Sequence, residues 1–184
     1  GYADAKANPR EVVVDHATYT VQATFHIDAG PRVVMDGVKL NSDGRTRASY
    51  VSRVLPWRAG AVFDPEDIAE LERRLRATGV YDAVSVALAP AEQALPNGRR
   101  PVVVSLTDKP NSTLELGANY STAEGSGVDG RWTVFNRLGV ADTISLSAQV
   151  ANILSKGQID LSVPDFRQAG QTLKLSGSVY KDDT

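Results

Sequence analysis

The chain contains no cysteine, which removes a disulfide framework, thiolate zinc sites and a cysteine nucleophile, and leaves the redox compartment open. It has only two histidines, His16 and His26, neither at metal-ligand spacing nor amid suitable carboxylates, so both read as solvent-facing strand or turn residues. No run approaches the roughly 18 to 20 apolar residues a spanning helix needs, and no basic segment leads into an apolar one as in a signal peptide. No Gly-x-Ser-x-Gly elbow is present, so the serines lack a positioned base. Charge of one sign is missing too. Twenty Lys and Arg face 22 Asp and Glu, a net −2 over 184 residues, which offers no long-range field for nucleic acid. The opening Gly1-Tyr2-Ala3 reads as the interior of a longer chain.

What is present changes character near Pro110. Residues 1 to 110 hold every strong helix signal and balance 14 basic against 14 acidic residues. Residues 111 to 184 hold 6 basic and 8 acidic residues, with Ser, Thr, Gly, Asn and Gln between alternating apolar positions. Lys109-Pro110-Asn111 suits a linker, because proline cannot donate to a continuing ladder.

In the first half, Glu11–Val14 and Tyr19–Ile27 are β-rich and flank Asp15-His16-Ala17-Thr18, a hairpin pattern. Val21, Ala23, Phe25 and Ile27 share a face, and Asp28-Ala29-Gly30-Pro31 closes the run. Val33–Leu40 predicts a strand, and Thr46–Leu55 a short helix that stops before Pro56. A second helix is expected over Pro65–Thr78. Asp64 caps it, Pro65 fits its first position, Glu66 and Asp67 face the positive end of the dipole, and Gly79 supplies the left-handed exit. Its apolar stripe is Ile68, Leu71 and Leu75, with Ala69 beside it; Glu70 and Glu72 neutralise Arg73, Arg74 and Arg76. The position of Asp64, Glu66 and Asp67 explains them as cap and dipole partners and not as catalytic carboxylates. Strands Val80–Leu88 and Pro101–Leu106 follow, joined through Pro96-Asn97-Gly98. The order is β-α-α-β-β, and Glu11–Gly30 repeats only its two-strand ending, as if it closed a preceding copy.

The second half alternates with period two. Leu114, Leu116, Ala118 and Tyr120 interleave with Thr113, Glu115, Gly117 and Asn119. A less regular strand covers Val128–Asn136, and three more carry Ile144 to Val150, Ile159 to Val163, and Leu173 to Val179. A soluble sandwich would show such alternation. That is the commoner case, but strands of about nine to eleven residues with small, mostly uncharged polar faces, and Tyr120, Phe135, Phe166 and Tyr180 near strand ends where an interfacial girdle would lie, point towards a membrane barrel, and the residues alone leave both readings open. On the barrel reading Ile144, Leu146, Leu161 and Leu175 face lipid, and Ser145, Gln149, Asp160 and Ser176 face the lumen. Gly125-Ser126-Gly127-Val128-Asp129-Gly130 matches G-x-G-x-x-G, but a strand and not a helix follows, so the stretch reads as a flexible loop. Two glycosylation sequons, at Asn111 and Asn119, read as chance.

Several segments resemble the outer-membrane assembly factors that join periplasmic polypeptide-transport-associated (POTRA) domains to a membrane β-barrel. They are Gly30-Pro31 with Val38, Trp57-Arg58-Ala59-Gly60, Asp64 with Ile68 and Leu71, and Leu75 through Val84. Leu116 through Gly125 resembles the first barrel strand and loop. Asn136-Arg137-Leu138-Gly139 resembles the Asn-Leu-Phe-Gly turn after the second strand, without its aromatic residue. The form of the first strand and Val163-Pro164 resemble the TamA branch of that family more than its BamA branch. The resemblance implies the end of one POTRA domain at 1–31, the last POTRA domain at 32–110, and the first five or so strands of a barrel of about sixteen at 111–184. It implies a factor of the bacterial outer membrane with POTRA domains in the periplasm, neither an enzyme nor a user of cofactor or metal. Its partners would be unfolded outer-membrane clients, outer-membrane lipid and an inner-membrane-anchored periplasmic protein similar to TamB, with no nucleic acid.

The mechanism expected is templating at sheet edges, where unpaired amides and carbonyls accept an added strand. One edge is Val80–Leu88, with Val80, Val84, Val86 and Leu88. The other is the first barrel strand, Thr113, Leu114, Glu115, Leu116, Gly117, Ala118, Asn119 and Tyr120, which by resemblance meets the closing strand at a seam that opens. A two-partner-secretion pore and a soluble POTRA-like binding module with a sandwich are the alternatives.

Overall fold

The computed structural model describes residues 1–95, 97–122, 125–152 and 154–182. Pro96 of the expected loop, and Ala123 and Glu124 of the first barrel loop, lie outside the described residues.

The N-terminal segment holds two small antiparallel pairs, β1 (Lys6–Ala7) with β4 (Ile27–Asp28) and β2 (Glu11–Asp15) with β3 (Thr20–Thr24). The hairpin turn forms as the sequence suggests: the Asp15 carboxylate accepts from the Ala17 and Thr18 amides. The long strand expected over Tyr19–Ile27 is interrupted. Tyr19 is in the left-handed region at φ 54°, inside the turn, and the chain leaves the first ladder after Thr24 to pair with Lys6–Ala7, a strand the periodicity did not reveal.

Residues 34 to 108 build the β-α-α-β-β unit from β5 (Val34–Asn41), α1 (Ala48–Arg53), α2 (Pro65–Ala77), β6 (Tyr81–Leu88) and β7 (Arg99–Asp108). The sheet order is β5-β7-β6, with β5 parallel to β7 and β6 antiparallel to it, so β5 and β6 are the edges. Asp64 caps α2 by accepting from the Glu66 amide at 2.9 Å, and Gly79 leaves the helix at φ 73°. Leu71 and Leu75 are fully buried with Met35, Tyr50, Val51, Val54, Val80, Val102 and Val104. Ala69, expected beside that stripe, is exposed. Glu70 pairs with Arg73 and Arg74, and Glu72 with Arg76, so these charges neutralise one another along the solvated face.

The remaining strands form one antiparallel sheet in sequence order: β8 (Ser112–Ser121), β9 (Gly125–Phe135), β10 (Thr143–Ala151), β11 (Leu154–Val163) and β12 (Leu173–Asp182). They are 9 to 11 residues long, the length a tilted strand needs to cross a bilayer. The G-x-G-x-x-G stretch is not the loop expected. Gly125 to Gly130 is the first half of β9, paired with Leu116–Ser121, because Gly127 and Gly130 leave room for the Asn119 and Leu116 side chains of β8.

Register sorts the faces cleanly. One rung runs Leu114, Trp132, Leu146 and Ile159; the next but one runs Ile144, Leu161 and Leu175. The opposite face carries Glu115, Arg131, Ser147 and Gln158 on one rung and Ser145, Asp160 and Ser176 on another. The aromatic girdle holds only in part. Tyr120 lies on the apolar face, but Phe135 pairs with Thr143 and Tyr180 with Lys156, which puts both on the polar side, and Phe166 sits in the β11–β12 turn. Phe135 is diverted because it packs on the core of the β-α-α-β-β unit, with the Lys109 ammonium over its ring.

Candidate functional site: two open sheet edges and the clasp between them

Both edges expected from sequence are edges in the fold. β8 ends the five-stranded sheet, pairing only with β9 among the described strands, so the other side of Thr113 to Tyr120 offers its backbone groups to solvent. β6 flanks β7 on one side and has no strand partner on the other among the described residues, although the Arg76 guanidinium donates to the Val84 carbonyl at 3.2 Å. The side chains named for it behave differently from an interaction surface. Val80 precedes the strand and, with Val84 and Val86, is buried in the core; Leu88 is half-buried against it. Strand alternation forces this, since residues of one parity face the helices. Contact along β6 therefore falls to its backbone and to exposed Asp82, Ala83, Ser85 and Ala87.

The apolar face of the five-stranded sheet is open across its whole width. Leu116 is 79% exposed on β8, Val128 59% on β9 and Leu175 56% on β12. A sandwich would need a second sheet over this face, and the five strands form a single layer. The polar face forms a concavity of about 350 Å³ lined by Glu115, Asp129, Arg131, Gln149, Lys156 and Gln158.

Between the two edges lies a polar clasp that sequence reasoning did not find. The Asn136-Arg137-Leu138-Gly139 turn is its centre. Asn136, at φ 50° and fully buried, donates from Nδ2 to Thr46 Oγ1 at 2.8 Å and to Asp108 Oδ2 at 3.1 Å, while its Oδ1 accepts from the Ala141 amide at 3.0 Å. Buried Asp142 accepts from the Arg137 and Leu138 amides at 3.1 and 2.8 Å, which closes the turn. The glycine is required by contact as well as by its φ of 76°: a Cβ at Gly139 would stand 2.5 Å from the Arg45 carbonyl oxygen. That approach lets the Arg47 amide donate to the Gly139 carbonyl at 2.9 Å. Arg45 donates to the carbonyls of Asn136 and Phe135, both at 3.0 Å, and to Asn111 of the linker.

A second grip holds the β11–β12 turn. Tyr50, on α1 and fully buried, donates from its hydroxyl to Asp165 Oδ2 at 3.1 Å, and Arg53 donates to the Asp165 and Phe166 carbonyls at 3.2 and 2.9 Å. Burial first, and then the Asp165 charge, push the Tyr50 hydroxyl well above the ordinary tyrosine range. Tyr81, whose hydroxyl meets Thr46 Oγ1 at 2.9 Å, is pushed up to about 12, chiefly by burial. Both stay protonated at neutral pH and serve as structural hydrogen-bonding groups. Arg45, Thr46, Tyr50, Arg53, Asp108, Asp142 and Asp165 are the residues missed. The available signal was a tyrosine hydroxyl within an apolar helix stripe, and an Asp after an Asn-x-x-Gly turn.

His16 and His26 are both exposed, and among the described residues no three His, Asp or Glu side chains gather as metal ligands. No helix among them is long and apolar enough to cross a membrane, a fact that does not bear on strands.

Residues 33–109 match the POTRA family model, described as surface antigen variable number repeat. Among curated proteins the chain is 23% identical over 160 residues to the outer membrane protein assembly factor BamA of Neisseria meningitidis serogroup B (strain ATCC BAA-335 / MC58), covering 85% of this chain and 19% of that protein. Among solved structures, BamA from Haemophilus ducreyi lacking POTRA domains 1–3 aligns with all of this chain and 34% of its own, at a TM-score of 0.81 and 21% identity. CdiB from Acinetobacter baumannii aligns with 98% of this chain and 33% of its own, at 0.55 and 13%. Residues 33–109 thus form a POTRA domain, and the antiparallel sheet that follows them resembles in fold part of the BamA barrel. The chain spans about a fifth of the length of that curated relative.

Proposed function

We propose that this chain is the junction of an outer-membrane β-barrel assembly factor, which inserts clients by templating their strands on its open edges. The observation that carries the proposal is one sheet with an open apolar face and an unpaired β8 edge, clasped through two turns to a POTRA domain. Residues 1–31 are the end of a preceding POTRA domain, 32–110 the POTRA domain next to the barrel, and 111–184 its first strands. The apolar face meets outer-membrane lipid and the POTRA domains stand in the periplasm. Autotransporter-type clients, and a periplasmic partner of the TamB kind, belong to the same reading at the level of the shared family.

The chemistry is backbone pairing. An extended client segment gains hydrogen bonds along Thr113 to Tyr120 with little demand on its sequence. Gly117 lacks a side chain to pack, which keeps the seam of modest stability. The β6 edge, through the backbone of Val86 and Leu88 beyond the Val84 carbonyl that Arg76 occupies, receives clients before the barrel does. The Asn136 to Gly139 turn holds the POTRA domain in register with the strands, so that the two edges keep a fixed relation.

A disulfide across the seam tests this. With Glu115→Cys or Ala118→Cys paired to a cysteine on the closing strand of the full-length protein, the oxidised form should lose insertion of a client barrel and the reduced form keep it. Full insertion with the crosslink complete would overturn templating and favour a transport pore. That second reading rests on the likeness of fold to CdiB, and its signature is steady ion conductance by the reconstituted barrel.

A further inference from the structure

The polar face of the β8–β9 pair holds two successive rungs in which a glycine on one strand faces an acidic or amide side chain on the other. Gly117 pairs with Asp129, and Asn119 with Gly127. In both, the side chain lies over the partner glycine. A Cβ at Gly117 would stand 2.7 and 2.8 Å from the two Asp129 carboxylate oxygens, and one at Gly127 would stand 2.6 Å from Asn119 Oδ1. Even an alanine at 117 therefore requires the carboxylate to move. The consequence is positional: the Asp129 charge, carried by the second strand, sits above the first, at the rim of the sheet.

We propose that Asp129, brought over the edge strand by Gly117, selects client strands bearing a basic side chain at the polar-face position opposite Gly117. This rests on the templating reading above and names the kind of client strand that the edge prefers. An added strand lies about 4.8 Å from β8. Residues directly opposite across an antiparallel pair have Cβ atoms about 4.5–5.5 Å apart, so a lysine or arginine there reaches a carboxylate standing where the Gly117 Cβ would be.

The local charge agrees. Asp129 takes one long hydrogen bond, from Asn119 Nδ2 at 3.4 Å, and among the described residues it forms no ion pair. Glu115 adds a second carboxylate on the same face of β8, two residues along. Arg131 stands opposite Glu115 and is the cation on that pair of strands; Lys156, on β11, is three strands away from β8, across β10 on the rung of Asp129 and Gln149. The rim that an incoming strand meets is thus acidic, although the polar face as a whole is mixed.

The test uses the full-length protein in liposomes with Thr113→Cys, and three ten-residue alternating peptides as probes. Each carries Lys, Gln or Glu at a central polar position and a cysteine four residues later, which falls opposite residue 113 when the central position is opposite 117 in antiparallel register. At low salt the Lys probe should crosslink about fivefold more than the Gln probe and the Glu probe least, the span expected for a cross-strand ion pair. Added salt should shrink the ratio. Asp129→Asn should bring the three yields together, and Gly117→Ala, which displaces the carboxylate, should do so independently. Equal, efficient crosslinking of all three probes in the unsubstituted background would overturn charge selection while leaving edge templating intact. Failure of every probe to crosslink to a folded barrel would overturn both.

Discussion

The POTRA domain and the five-stranded sheet spell their strands with the same alternation and put it to opposite use. In β7 the apolar residues Val102, Val104 and Leu106 turn inward and are at most 5% exposed; in β8 Leu114 and Leu116 turn outward, at 67% and 79%. The difference lies in what is available to cover the face. Two amphipathic helices lie over the three-stranded sheet, whereas among the described residues no second layer accompanies the five strands. Periodicity reports that a strand has two unlike faces, and says nothing about which solvent the apolar one meets.

Substitutions that invert one region and spare the other separate the two designs. The largest effect should come from Leu71→Ala, which hollows a fully buried site where α2 meets the sheet and should cost about 2–5 kcal/mol in urea unfolding of the POTRA domain. Unchanged stability would mean that the stripe is not the core. Next, Leu146→Arg puts a charge on the open apolar face and should destabilise the full-length protein in liposomes by about 2–4 kcal/mol near the bilayer midplane, while Ser147→Arg on the polar face is tolerated better. Equal effects would remove the membrane assignment of that face.

The boundary between the regions gives a third prediction. Asn136→Ala leaves the buried Ala141 amide without a partner and removes one of the two hydrogen bonds to Asp108 Oδ2, and should cost about 1–3 kcal/mol. Protease sensitivity should rise at the β9–β10 turn while the POTRA core keeps its melting profile. The smallest effect is a pH dependence confined to the POTRA side. The Tyr81 hydroxyl titrates near 12 when folded and near 10.0 when unfolded, so the folded state holds its proton longer. Its contribution is complete below pH 10.0 and lost as pH rises towards about 12. Tyr81→Phe should flatten that part of a stability–pH profile measured by circular dichroism.

Much of this fold could be read in advance because its signals are local. The Asp64 cap, Pro65, the 68–71–75 stripe and Gly79 specify α2 within 16 residues, and alternation places four of the five strands of the sheet, all but β9. Gly125 to Gly130 was misread since glycine weakens a strand on average, and only the Asn119 and Asp129 side chains lying over Gly127 and Gly117 explain why it serves there. Val80, Val84 and Val86 lie at or along a true edge, but their side chains belong to the core.

The clasp was illegible for a different reason. Arg45 meets Asn136 across 91 residues and Tyr50 meets Asp165 across 115, and no periodicity or motif links positions so far apart. By itself the sequence determined the elements, the two faces of each strand and the family resemblance, because turns, caps and alternation act over a few residues. Tertiary structure alone decided which face is covered, and that the Asn136 turn locks onto the POTRA domain, because each depends on what the rest of the chain brings alongside.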